Sequence, residues 1–92
     1  MSEFQLHQQH AQAAVARAVS RALFLVPHLE RAVVVTEADG SVHVRGDSRK
    51  LEASIGVDLQ PQHIGALCQR LQQLGVRVFA SESEYAQALA QI

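Results

Sequence analysis

From Ala11 onward the apolar positions fall at Ala11, Ala14, Val15, Ala18, Val19, Ala22, Leu23 and Val26. Steps of three and four build one stripe along a helix. Gln8, Gln12, Arg17, Ser20 and Arg21 fall away from it. Pro27 removes the amide that a further turn needs, so the helix is expected to end near Val26. At the other end, Ser2 followed by Gln5 fits a capping box. The pattern predicts a helix from about residue 3 to residue 26.

The period then drops to two. In "RAVVVTEADGSVHVRG" the run Ala32 to Thr36 is apolar on both faces, Asp39-Gly40 supplies a tight turn, and Val42 and Val44 alternate with His43 and Arg45. This is a hairpin whose first strand belongs in the middle of a sheet. "GDSRK" reads as a turn, and Leu51, Ala53, Ile55 and Val57 then alternate with Lys50, Glu52, Ser54 and Gly56 as a third strand with one wet face. Gly56 and the polar "GDSRK" leave residues 47–57 open to a loop instead. Asp58 as a cap, Pro61 in a first turn, and Ile64, Leu67, Cys68, Leu71 and Leu74 as a stripe closed by Gly75 predict a second helix. "VRVFA" is a fourth strand, and Ser81 with Glu84 caps a last helix lined by Tyr85, Leu89 and Ile92.

The fold class that results is α+β, one small domain over residues 1–92 in the order αβββαβα: a long helix over 1–26, then a hairpin-strand-helix-strand-helix body over 31–92. An antiparallel meander of three strands and a helical crossover place strand four beside strand one. The mixed sheet is ordered 3-2-1-4, covered by helices, with the valine-rich strand inside.

A helix of this length spans about 36 Å, whereas a domain of this size has a radius of gyration of about 12 Å. One end is therefore expected to overhang or to cross a second subunit. The small stripe residues let another helix approach closely, so a homodimer is expected through Ala14, Val15, Ala18, Val19, Ala22 and Leu23. The competing arrangement lays that stripe on one face of the sheet, with the second and third helices on the other.

Composition narrows the classes of function. Ninety-two residues that are 48% hydrophobic and 18% charged make one globular domain with a marginal core. Eight Lys and Arg against nine Asp and Glu give a net charge of −1, which leaves nucleic acid without an electrostatic footprint. Cys68 is the single cysteine, so no internal disulfide and no four-cysteine zinc site can form, and a reducing cytoplasm fits. The longest strongly apolar run, "ALFLV" at 22–26, is too short to span a bilayer, and no membrane association is expected.

Each candidate for chemistry has a plainer explanation. His7 and His10 share a helix face at i and i+3, but Asp, Glu or Cys at a matching step is missing nearby; a metal would have to borrow His28, His63 or a second chain, so none is expected. Glu37 and Asp39 sit at a hairpin tip, where Asp-Gly serves the turn. Arg45-Gly46-Asp47 reads as a strand-ending turn, and Cys68 as a small core residue. The glycines form no phosphate loop, the serines no nucleophile elbow, and no catalytic residue or cofactor is expected.

The order of elements, with "AVVVT" before a tight turn and "GALCQRLQQLGVRVFASESEYAQALA" as helix, strand and helix, resembles the cytoplasmic domain of type III secretion export-switch proteins. Where that family carries a self-cleaving Asn-Pro-Thr-His turn, this chain has Thr36-Glu37-Ala38-Asp39, so no site is carried over. The functional expectation is a non-enzymatic protein-interaction or regulatory module acting as a homodimer, with another protein as a second partner. The alternative is a small-ligand-binding domain or minor enzyme with a pocket between the first helix and the sheet, where His28 and His43 supply polar contacts.

Overall fold

Val33 and Ala32 are buried at the middle of a four-stranded sheet in the computed structural model, which describes residues 3–49 and 51–91, with side chains from residue 10 onward. The elements are α1 (Glu3–Leu25), β1 (Arg31–Thr36), β2 (Val42–Ser48), β3 (Leu51–Val57), a short 3-10 turn (Pro61–His63), α2 (Ile64–Gln73), β4 (Arg77–Phe79) and α3 (Glu82–Ala90). The sheet is ordered β3-β2-β1-β4, with β1 antiparallel to β2, β2 antiparallel to β3, and β1 parallel to β4. This is the expected αβββαβα order and the expected strand arrangement. The capping role of Ser2 and the side chains of His7 and Ile92 lie outside the described residues.

The register places Ala32, Val34, Val42, Val44, Ile55 and Val57 on one face of the sheet. They form a single cluster with Val15, Ala18, Val19 and Ala22 of α1 and Leu67 and Leu71 of α2. Both long helices therefore cover the same face. The other face receives α3 alone, over β1 and β4, where the Tyr85 and Phe79 rings meet edge to face at 5.9 Å. The physical reason is apolar supply: the α1 and α2 stripes together match the wide aliphatic face, while the opposite face, with Arg31, His43, Arg45 and Asp47, has only enough apolar surface for one short helix.

Two elements depart from the expected turns. "RGD" is not a strand-ending turn; β2 continues to Ser48, and Gly46 is there because Leu29 and the Arg31 carbonyl leave no room. A Cβ on Gly46 would lie 2.6 Å from Leu29 Cδ1 and 3.0 Å from the Arg31 carbonyl oxygen. Asp58 does not cap α2. The chain enters that helix through the 3-10 turn, whose N-cap Gln60 makes no side-chain cap bond and whose first residue is Pro61. The last helix starts as expected, with Ser81 Oγ accepting the Glu84 amide at 3.2 Å, while the Glu84 carboxylate reaches back to the Ala80 amide.

Helix α1 has 23 residues, about 35 Å of rod, and the longest dimension of the molecule is 49 Å. From Val15 to Val26 its stripe is consumed by the subunit's own core. No helix among the described residues is long and apolar enough to cross a membrane.

Candidate functional site

The residues expected to form a dimer contact lie inside the subunit. Val15, Ala18, Val19 and Ala22 are buried, and Ala14 and Leu23 pack against the same cluster. The apolar surface that remains uncovered is next to them. Phe24 is 82% exposed and Leu25 40%, and Leu51, where β3 begins, is 45% exposed. The sequence carried a signal for this: "ALFLV" puts apolar side chains on all sides of the last helical turn, so one stripe cannot bury them all.

Arg21 and Phe24 are three apart and share a face of α1. Arg21 shows where that face looks, because its Nε donates to the Gly56 carbonyl at 2.8 Å, across the outer side of β3. Among the described residues strand β3 pairs on one side only, with β2. In an antiparallel ladder the N–H and C=O of a residue point to the same side and alternate along the strand. With the Gly56 carbonyl on the outer edge, the amides and carbonyls of Ser54 and Glu52 point outward too. All three residues are exposed. The result is a free strand edge that Arg21 reaches at its Gly56 end, with Leu51 at the other end in a groove lined by Pro27, His28, Ser48 and Arg49.

His43 lies on the sheet face turned away from α1, and His28 follows the end of α1 in a left-handed conformation with φ of 61°. The two do not converge, and the space between α1 and the sheet is filled by the core cluster. His43 instead belongs to a hydrogen-bonded chain. Ser41 Oγ donates to Asp39 Oδ1 at 2.6 Å, which leaves its oxygen to accept His43 Nε2–H at 3.2 Å. That tautomer frees Nδ1 for the Ser54 hydroxyl at a long 3.4 Å. The Ser41 hydroxyl, then its amide, hold the Asp39 carboxyl below its ordinary range. Chemically this chain can orient a proton; on an open sheet face it lacks the water-excluding cleft that acid–base work needs. It ties the hairpin tip to β3.

The buried charge missed in the sequence is Asp47, 4% exposed and bound by Arg31 through Nε at 3.2 Å and a terminal nitrogen at 2.5 Å. Tyr85 donates to the same carboxylate at 3.3 Å, and Arg31 also donates to the Ala88 carbonyl at 3.3 Å. This network fastens α3 to β1 and β2. Hydrogen bonding to Asp47 raises the Arg31 pKa above the usual guanidinium value. Burial, then the charges of Asp47 and Glu52, push the Tyr85 hydroxyl far above the ordinary phenol range.

The Tyr85 shift has a sign that can be checked. The unfolded phenol ionises near pH 10 while the folded one keeps its proton, so its contribution is complete below about pH 10 and is lost above it, by up to about 1.4 kcal/mol per pH unit. The stability gap between wild type and Tyr85→Phe, measured by urea unfolding, is expected to narrow as pH rises from 9 to 11. A gap that stays constant contradicts the assignment.

Of the other candidates, Cys68 is half-buried and its thiol is pushed up by burial, which disfavours a reactive thiolate. His10 lines a groove with Arg17, Asp58 and His63. Among the described residues no three His, Cys, Asp or Glu side chains group closely enough to hold a metal. Compared with family models, curated proteins and solved structures, the chain finds no match, so the likeness in element order to export-switch domains stands without a matching relative.

Proposed function

We propose that this protein is a non-enzymatic protein-interaction module that acts as a homodimer, with the contact on the free edge of β3 and the apolar side chains beside it rather than on the α1 stripe. The observation that carries this reading is Phe24, 82% exposed one turn beyond Arg21, on the helix whose Arg21 reaches the outer edge of the seven-residue strand β3. A lone exposed apolar residue needs no explanation, but Phe24 and Leu25 at the end of α1, with Leu51 at the start of the unpaired strand, give association both apolar side chains and free backbone to cover. A second copy also suits a chain of this size, whose own core is small.

A reducing, cytoplasmic setting suits the single half-buried Cys68. Nothing in the site calls for a cofactor, and the net charge of −1 gives no attraction toward nucleic acid. The small-ligand alternative draws no support from His28 and His43, which do not share a pocket.

The test is mass in solution. Sedimentation at micromolar concentration is expected to give twice the chain mass of 10.0 kDa, and Phe24→Ser is expected to return the protein to a monomer with its circular dichroism unchanged. A wild-type protein that stays at the monomer mass overturns the reading.

A further inference from the structure

We infer that Asp39-Gly40 is a latent modification site, the linkage at which this chain rearranges to isoaspartate, and that the Ser41 hydroxyl, oriented by His43, restrains the reaction in the folded hairpin. The inference goes beyond the homodimer reading and does not depend on it.

The chemistry needs only this chain and water. The Gly40 nitrogen, giving up its proton, attacks Asp39 Cγ; the new C–N bond closes a five-membered imide, and the protonated carboxyl oxygen leaves as water. A second water then opens the ring at one of its two carbonyls. Opening at Cγ restores aspartate. Opening at the former backbone carbonyl leaves the chain running through Cβ, with no net change in mass. Glycine favours the attack because no side chain shields its nitrogen. The tip is also open: Asp39 and Gly40 are exposed, and a Cβ built on Gly40 meets nothing within 4 Å.

The folded hairpin opposes each requirement. Gly40 N–H donates to the Glu37 carbonyl at 2.9 Å and Glu37 N–H to the Ser41 carbonyl at 2.8 Å, so the turn fixes the peptide plane that carries the nucleophile. Asp39 Oδ1 accepts both the Ser41 amide at 2.9 Å and the Ser41 hydroxyl at 2.6 Å. Turning the carboxyl so that Cγ meets the Gly40 nitrogen draws Oδ1 off these donors, which costs their hydrogen bonds. The same bonds favour the ionised carboxylate. The Ser41 hydroxyl, then the Ser41 amide, and last the nearby His43, hold Asp39 below its ordinary range, so less of the acid form that can release water is present. His43 Nε2–H, donating to Ser41 Oγ at 3.2 Å, turns the hydroxyl proton toward Asp39.

The test incubates the full-length protein for weeks in mildly acidic buffer and counts isoaspartate by peptide mapping, where the two isomers separate by chromatography. Wild type, Ser41→Ala and Ser41→Thr are compared with wild type unfolded in guanidinium chloride. Folded wild type is expected to rearrange about tenfold more slowly than the unfolded chain, and Ser41→Ala about fivefold faster than folded wild type. Ser41→Thr, which keeps the hydroxyl, is expected to match wild type. In Ser41→Ala the pH at which the rate falls away is expected to move upward, because the carboxyl has lost a bond that kept it ionised; a hairpin merely loosened would not move it. Isoaspartate that accumulates at Asp47 or Asp58 of the unfolded chain instead overturns the site. Folded wild type as fast as unfolded overturns the restraint. Ser41→Ala as slow as wild type, or Ser41→Thr as fast as Ser41→Ala, overturns the role of the hydroxyl. Should Ser41→Ala fail to fold, His43→Phe, which leaves the hydroxyl without its donor, is expected to accelerate the reaction in the same direction, and an unchanged rate there overturns the inference.

Discussion

Replacing Asp47 with alanine is expected to cost about 3–5 kcal/mol of folding stability, read as a lowered urea midpoint and thermal transition. The Asp47 side chain is 6% exposed and that of Arg31 17%, so truncation strands a guanidinium that water reaches poorly. It also removes the acceptor of the Tyr85 hydroxyl. Domains of this kind are stable by about 5–15 kcal/mol, so the loss takes a large share of the total. Asp47→Asn is expected to cost less, because its carbonyl can still accept from Tyr85 or Arg31. The damage should concentrate in α3, which reaches the sheet through Tyr85 and through the Arg31 bond to Ala88. Amide exchange in residues 82–90 should accelerate before exchange in β2 does. If Asp47→Ala unfolds at the wild-type midpoint, the network is ornamental to the fold.

That network was hidden in the sequence for a reason that applies beyond Asp47. Periodicity reports where apolar side chains recur, and it is blind to a polar side chain buried by pairing. Arg45-Gly46-Asp47 carries turn-forming residues, yet here glycine answers a steric demand from Leu29 and aspartate answers an arginine sixteen residues earlier in the chain. Both causes are long-range. By contrast the hairpin at Asp39-Gly40, where Gly40 has φ of 88° and Asp39 Oδ1 accepts the Ser41 amide, is specified locally and was legible. The sheet order was legible because the "AVVVT" strand is apolar on both faces.

The candidate site was legible only in part. A stripe read from Ala14 to Leu23 says that a face is apolar, and the same pattern serves a partner or the home sheet equally well. Choosing between them requires knowing how much sheet lies beneath, and the aliphatic face of β1, β2 and β3 accepts both α1 and α2. The surplus appears one turn later, at Phe24 and Leu25, off the stripe. The edge location of β3 follows from the meander, but the direction of its outer backbone groups is known only from the Arg21 bond to Gly56, a contact across thirty-five residues of chain.

The competition for the α1 stripe makes Leu71 the most informative core position. Leu71 is fully buried in the cluster that joins α2 to α1 and the sheet. Its carbonyl also ends the helix: Val76 N–H donates to it at 3.0 Å, Gly75 N–H donates to Gln72, and Gly75 adopts φ of 90°, a Schellman arrangement in which Leu71 and Val76 are the paired apolar residues. Leu71→Ala should therefore leave a cavity and loosen the turn that launches β4. The expected loss is about 2–5 kcal/mol, with the slope of the urea transition unchanged. Because α1 packs on its own subunit, this loss should not depend on protein concentration in the Phe24→Ser background, where the proposed contact is gone. Were the stripe shared with a second copy, weakening α2 beside it would make the unfolding midpoint of that variant move with concentration. A concentration-independent midpoint in that background, lowered by the stated amount, is what a stripe committed to the home sheet requires.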